Sequence, residues 1–320
     1  MKFTPLRAGL VGAALIACGL VVAPAAAGAS TPDSEVDTAT VSSADATAAA
    51  AYWTPERMRS AIPADVLVSD AEASAHVTEV EAGAPVTYGG AETGGERQPQ
   101  GSVRSQASTV ASSGVGKVFF QLDGWNYVCS GNSVDAGNGS VVATAGHCVH
   151  GGGESESFAS RWVFVPGYHE GAAPYGIWTA TALSVTEPWS MNRDYSYDAG
   201  FVKVAKVDGR TLAQAAGASP IAFNQSRGLD YTSYGYPAAS PFDGETVKSC
   251  VGTATPDPFW QTQSQGIPCD MTGGSSGGPW LLASGAQNSV NSFGYNGVPG
   301  VMFGPYYGSV AHSAYATAAS

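Results

Sequence analysis

The chain has 320 residues, a net charge of −12, only 12% charged side chains and 44% hydrophobic residues. The acidic excess is spread along the chain and leaves no basic stripe, which excludes nucleic acid as a partner. The length admits two domains, but the first third is too poor in aromatic residues to read as a packed core.

The chain begins with Lys2 and Arg7 ahead of an apolar run from Ala8 to Ala23, and Ala25-Ala26-Ala27 supplies small residues for cleavage. Residues 1–27 therefore read as a signal peptide, with a transmembrane anchor as the weaker alternative. Leu15-Ile16-Ala17-Cys18 also fits a lipobox, which would leave Cys18 lipidated and the protein anchored to a membrane. Residues 28–113 are rich in Ala, Ser, Thr, Gly and acidic side chains, with one helix-like patch at 54–61. Such a composition is expected to bury little apolar surface.

From Gly116 the pattern changes to short Val-, Tyr-, Phe- and Trp-rich runs between Gly, Pro, Asn and Ser turns, as at 116–120, 161–166, 176–186, 245–255 and 297–303. That spacing predicts an all-β sandwich or barrel. Helical periodicity returns only at 309–318, which predicts one short terminal helix. Trp125, Trp162, Trp178 and Trp189 read as core and barrel-rim residues.

Three weak signals for one chemistry occur in chain order. Thr144-Ala145-Gly146-His147-Cys148 follows the apolar run 140–143, so His147 stands where a buried strand runs out into a loop. Asp198 opens the run Tyr197-Asp198-Ala199-Gly200-Phe201-Val202, and Asp194 is its competitor as the acid. Gly273-Gly274-Ser275-Ser276-Gly277-Gly278-Pro279 sets Ser276 among glycines, which permit a sharp turn and let a carbonyl approach main-chain N–H groups. A serine hydroxyl is a poor nucleophile without a base, so His147, Asp198 and Ser276 together suggest acyl transfer. Gly274-Ser275-Ser276-Gly277-Gly278 also fits the α/β-hydrolase elbow, an esterase alternative. That fold needs an acid and then a histidine after the serine; His312 is present, but no Asp or Glu follows Gly277. His147 and His150 lie three apart with no HExxH or paired CxxC motif, so no metal site is expected and His150 reads as a loop residue.

These motifs resemble the chymotrypsin-like serine proteases, and more closely their secreted bacterial trypsin-like and glutamyl-endopeptidase-like branch. Val128-Cys129-Ser130-Gly131-Asn132-Ser133 is similar to the clan's Cys-Gly-Gly-Ser strand, Thr144-Ala145-Gly146-His147-Cys148 to its Thr-Ala-Ala-His-Cys, residues 197–202 to its Asp-Ile-Ala-Leu segment, and residues 274–279 to its Gly-Asp-Ser-Gly-Gly-Pro. The resemblance covers residues 114–315. It implies two six-stranded antiparallel β-barrels (114–207 and 208–320, the second with the terminal helix), with a catalytic triad at their junction. His147 would be the general base, Asp198 its orienting carboxylate and Ser276 the nucleophile, with the N–H groups of Gly274 and Ser276 as oxyanion donors. Residues 28–113 would be a pro-region, cut between Arg104 and Ser113. The product would be a secreted serine endopeptidase acting on protein or peptide substrates, monomeric, with no cofactor needed. The alternative from another class is a noncatalytic binding protein on the same scaffold.

Once Cys18 leaves with the signal peptide, Cys129, Cys148, Cys250 and Cys269 remain, an even number that sequence alone can pair in three ways. The clan's pattern pairs Cys129 with Cys148 and leaves Cys250 with Cys269. Ser292-Phe293-Gly294 resembles the Ser-Trp-Gly edge that holds substrate backbone, with Phe293 as a pocket wall. Asp270 lies six residues before Ser276, where trypsin carries the carboxylate that binds Arg or Lys, so the resemblance suggests cleavage after basic residues; the alternative is that a buried Asp270 holds the loop through hydrogen bonds. Thr272 departs from the pattern by standing where trypsin has a cysteine. The glutamate-binding histidine of the related branch has no counterpart between Gly277 and Ala311. Ser275 replaces the aspartate that pairs with a newly cut amine in the animal enzymes, so the oxyanion loop is expected to be ordered by local hydrogen bonds, with the pro-region as folding aid or steric plug.

Overall fold

The computed structural model describes residues 1–2, 35–67, 80–89 and 113–320. The expected signal peptide beyond residue 2, the Cys18 lipobox and all but the end of the expected cut region lie outside these residues. The chain divides into Met1–Asp33 and Ser34–Ser320, and every strand and helix named below belongs to the second unit.

That unit opens with β1 (Val36–Thr40), α1 (Ser43–Tyr52), α2 (Pro55–Arg59), β2 (Ile62–Pro63), a 3-10 turn at Ala64–Leu67, and β3 (Val86–Tyr88). Each helix starts at a side-chain cap: Ser42 accepts from the Asp45 N–H and Thr54 from the Arg57 N–H, with Pro55 in the first turn of α2. The first barrel comprises β4 (Val115–Leu122), β5 (Trp125–Val134), β6 (Val141–Thr144), β7 (Ser160–Pro166), β8 (Trp178–Thr186) and β9 (Gly200–Val204), with α3 (Glu187–Asn192) between the last two strands. These pair in the order β8-β7-β4-β5-β6-β9, and β8 meets β9 to close an antiparallel barrel.

β4 explains how the preceding segment is held. Alternate residues of a strand face opposite ways; Val118 and Phe120 enter the main core, whereas Val115 and Phe119 face a second cluster with Ala49, Trp53 and Met58. Trp53 packs on Phe119 with ring centroids 5.4 Å apart and donates from Nε1 to the Arg161 carbonyl. The expectation that residues 28–113 bury little apolar surface is thus corrected for 35–67: Trp53 and Met58 are buried, and burying each such side chain contributes about 1.5–3 kcal/mol. β1 also extends the barrel sheet at β8, and β2 adds to β5 in parallel.

The second half holds α4 (Leu212–Ala216), β10 (Ile221–Phe223), β11 (Asp230–Gly235), β12 (Lys248–Thr253), β13 (Thr255–Pro256), β14 (Gln265–Pro268), β15 (Pro279–Leu281), β16 (Gln287–Val290), β17 (Val301–Gly304) and α5 (Ser309–Ala319). It is laid out as two sheets, β12-β11-β15-β16-β10-β3 and β13-β14-β17, with β3 drawn from before the first barrel. The Cys250–Cys269 disulfide ties β12 to the end of β14 and so joins the two sheets. Phe201, Phe223, Tyr307 and Tyr315 of α5 pack in one core that spans both halves. This architecture leaves no place for an esterase on an α/β-hydrolase fold.

Candidate active site

His147 sits in a 3-10 turn, Gly146–Cys148, directly after β6. The Cys129–Cys148 disulfide ties that turn back to β5. Asp198 lies just before β9, the strand that pairs with β6, so the barrel register brings the two residues together. Asp198 Oδ1 accepts the His147 main-chain N–H at 2.8 Å, and Oδ2 meets His147 Nδ1 at 2.8 Å, with both side chains fully buried. The carboxylate therefore fixes the turn as well as the ring, and the favoured tautomer carries its proton on Nδ1. His147 Nε2 is buried and has no hydrogen-bond partner among the described residues. A buried polar atom without a partner carries a desolvation cost of about 1–3 kcal/mol, which a proton donor entering the site would relieve.

Asp194, the competing acid, is placed elsewhere: it caps the next 3-10 turn by accepting the Ser196 N–H, and burial raises its pKa. Ser292 Oγ donates to Asp198 Oδ2, completing the set around that carboxylate. This role was not read from the sequence, where Ser292 stood only as part of a substrate edge; no local pattern signals a contact between residues 94 positions apart.

Ser276 lies in the loop between β14 and β15, with Gly274 at φ 93° and Gly277 at φ 80°. Both angles belong to the region that favours glycine. Ser130 crosses from the first barrel to hold the loop: its N–H donates to the Ser276 carbonyl at 2.7 Å and its hydroxyl to the Gly274 carbonyl at 2.9 Å. From below, Asn291 Nδ2 donates to the carbonyls of Ser275 and Tyr234, and its Oδ1 accepts from Ser233 Oγ and Trp280 Nε1. Ser275 bonds through both its N–H and its hydroxyl to the Thr272 carbonyl, so the loop is ordered locally. Neither Ser130 nor Asn291 was singled out from the sequence; both are small polar side chains whose role depends on distant partners. Within this frame the N–H groups of Gly274 and Ser276 donate to nothing among the described residues. A His147 ring nitrogen lies within 4.8 Å of the Cys148 sulfur, which itself comes within 3.8 Å of the Ser276 carbonyl oxygen.

A cleft of about 510 Å³ opens beside Ser276, lined on one side by Asp270–Gly273 and on the other by Ser292, Phe293, Gly294 and Tyr295. Phe293 stacks on Phe303 with ring centroids 5.2 Å apart and so forms a fixed wall. Asp270 is exposed on its own wall, beside the Cys250–Cys269 disulfide, and no Lys or Arg among the described residues pairs with it. Asp65, from the segment before the barrel, also lines this cleft. His150 is structural: its carbonyl accepts from Trp189 Nε1 and its ring packs on Phe158.

No family model matches the chain. It is similar to protease Anisep from Arthrobacter nicotinovorans, with 53% identity and a TM-score of 0.62 over 65% of this chain and 95% of that one. It is also similar to AL20, a thermostable serine protease from an extremophilic microorganism, with 50% identity and a TM-score of 0.62 over 65% of this chain and 97% of that one. A Glu endopeptidase shares the fold at 19% identity and a TM-score of 0.53, over 67% of this chain and 94% of that one. A stretch of 86 residues is 33% identical to an extracellular metalloprotease of Bacillus subtilis strain 168; it spans 27% of this chain and only 26% of that protein. That name implies a metal. Among the described residues the one close group of potential ligands is Cys129, His147 and Cys148, and it does not fit a metal because both sulfurs are tied up in the disulfide.

Proposed function

The chain belongs to the chymotrypsin-like serine proteases, in their bacterial trypsin-like branch, and on that footing we propose that it is a secreted serine endopeptidase with His147, Asp198 and Ser276 as its triad. The observation that carries this reading is the buried His147–Asp198 pair, which occupies Nδ1 and leaves Nε2 as the one ring atom free to take a proton. In the proposed reaction Ser276 Oγ attacks a peptide carbonyl while His147 Nε2 takes the hydroxyl proton. Asp198 holds the imidazolium, and the N–H groups of Gly274 and Ser276 donate to the carbonyl oxygen as negative charge develops on it. His147 then returns the proton to the leaving amine. Water, deprotonated by His147, attacks the Ser276 ester, and His147 returns that proton to Ser276 Oγ as the acid leaves.

The reading extends to cleavage after Arg or Lys. Asp270, which pairs with no Lys or Arg among the described residues, offers a carboxylate on the cleft wall, where a guanidinium or ammonium group would meet it. Phe293 and the Ser292–Gly294 edge would hold the backbone and side chain of the peptide. The two disulfides support a location outside the cell. The test is fluorophosphonate labelling of the processed chain with peptide mapping of the adduct. An adduct on Ser276, absent from Ser276→Ala, supports the triad, whereas labelling elsewhere or none in folded, processed protein contradicts it. A peptide library read beside Asp270→Ser should lose its Arg and Lys preference; an unchanged profile would remove Asp270 from specificity.

A further inference from the structure

The cleft beside Ser276 continues into an exposed aromatic pair that the triad and the Asp270 wall do not use. Phe259 and Trp260 lie in the loop between β13 and β14 and are 48% and 75% exposed. The Phe259 ring meets Tyr295 edge to face with centroids 4.9 Å apart, and Tyr295 meets Phe293 in the same way at 5.2 Å. Tyr295 and Phe293 both line the cleft, so the aromatic surface runs from the cleft wall out onto the loop. The loop is wound around one buried carboxylate, Asp257. Its Oδ1 accepts the Phe259 N–H, and its Oδ2 accepts the Thr262 N–H, the Thr262 hydroxyl and the Tyr295 hydroxyl. Asp257 thereby pins the loop to the cleft wall. Further along, the Gln263 N–H donates to Ser196 Oγ and Ser264 Oγ donates to the Tyr195 carbonyl, which ties the loop to the turn just ahead of Asp198. Trp260 stands at φ 56°, a region that bulky side chains rarely adopt. A firmly anchored loop that keeps a large ring in an unfavoured backbone conformation, and in water, gives up stability to place that ring.

We propose that Phe259 and Trp260 form an outer subsite that takes a large apolar or aromatic side chain of the substrate, roughly four to six residues ahead of the bond to be cut. The proposal rests on the peptidase reading above. In that reading His147 returns its proton to the leaving amine, so the departing half of the substrate lies on the His147 side. The acyl half then runs along Ser292, Phe293 and Gly294 toward Tyr295. A paired strand advances about 3.3 Å per residue. The ring-to-ring steps of 5.2 and 4.9 Å beyond Phe293 therefore lead to a substrate residue about three positions beyond the one seated there. Its side chain would cover Phe259 and the exposed face of Trp260, and a substrate too short to reach them would gain nothing from the pair.

The experiment reads kcat/KM of the secreted, processed protein on peptides that share one cut sequence, chosen with wild type from a peptide library. A short peptide stops before the outer positions, and two long ones fill them with phenylalanine or with serine. Wild type should prefer the phenylalanine peptide over the serine one by at least ~10-fold, the difference expected for burying one aromatic ring. Trp260→Asn removes the ring but suits the left-handed backbone; this variant and Phe259→Ala should each bring the ratio toward one. Trp260→Phe should keep most of it. Equal cleavage of the two long peptides by wild type would overturn the subsite and leave the peptidase reading intact. So would a purely structural role of the loop, in which both variants slow all three peptides alike and the ratio survives. A change of oligomeric state in Trp260→Asn with the ratio unchanged would place a second copy of the chain on the pair instead. Failure of folded, processed wild type to cut any library member would sink the peptidase reading, and the subsite with it.

Discussion

The two halves of the site are held in place by different means. His147 and Asp198 stand at the ends of neighbouring strands in a closed barrel, and their alignment comes from the β6–β9 register with one disulfide behind it. Ser276 stands in a glycine-rich loop with no strand pairing of its own, and its alignment depends on buried side chains, Asn291 from below and Ser130 from across the junction. A backbone register tolerates side-chain change, whereas a loop built on side-chain hydrogen bonds does not. The second half should therefore be the more fragile.

Asn291→Ala should have the largest effect on the loop half of the site. It removes two donated and two accepted hydrogen bonds at a fully buried position and strands the partners of each. At 1–3 kcal/mol for each group left unsatisfied, partly relieved by relaxation, the loss should be about 4 kcal/mol of stability, with peptidase activity lost in the same variant. Chemical denaturation with an activity assay checks this, and a variant as stable as wild type would deny Asn291 any part in holding the loop.

Lys117 supplies the contrast within the first barrel. It is buried on β4, donates to the Gly244 carbonyl and stacks over Tyr168, and burial, only partly offset by Glu245 and Asp243, lowers its pKa from 10.5 to about 8. The unfolded chain thus holds this proton more tightly than the folded one. The burial penalty is present in full below pH 8 and is relieved as the pH rises from 8 to 10.5. Stability of wild type measured against Lys117→Met should rise across that window, by about 3 kcal/mol at most. Activity at pH 7 should stay unchanged in Lys117→Met, because the barrel register does not depend on this side chain. A stability difference that is flat with pH would contradict the assignment.

Ser292→Ala gives the smallest effect and the sharpest probe, because Ser292 links the loop side of the site to the barrel side through Asp198. Losing one hydrogen bond to a charged group is worth about 1.5–3 kcal/mol, so kcat should fall roughly 10- to 100-fold with KM little changed. A rise in KM at constant kcat would return Ser292 to the substrate-edge role.

Legibility in the sequence divides along the same line. The order His147, Asp198, Ser276, the cysteine set and most strands were readable because each depends on a local pattern: a strand ending in a turn, a glycine-flanked serine, alternating β-branched and aromatic residues. Ser130, Asn291 and the contact of Ser292 with Asp198 were not, because each acts through a partner far away in the chain. The packing of 35–67 departs from what its composition suggests for a physical reason. An Ala-rich helix buries little by itself, but the outward face of β4 presents Val115 and Phe119, and Trp53 and Met58 suffice to cover it. In the second half the strands pair as two sheets joined through Cys250 and Cys269, long-range pairing that strand spacing does not report.

In the proposed triad His147 and Ser276 act as one unit across the junction of the two halves. The direct test is kcat/KM for a peptide substrate in activated wild type, His147→Ala, Ser276→Ala and the double variant, each checked for folding. Each single change is expected to cost about 10⁴-fold or more, and the double no more than the worse single. Losses that multiply in the double variant would show two independent contributions and contradict the triad.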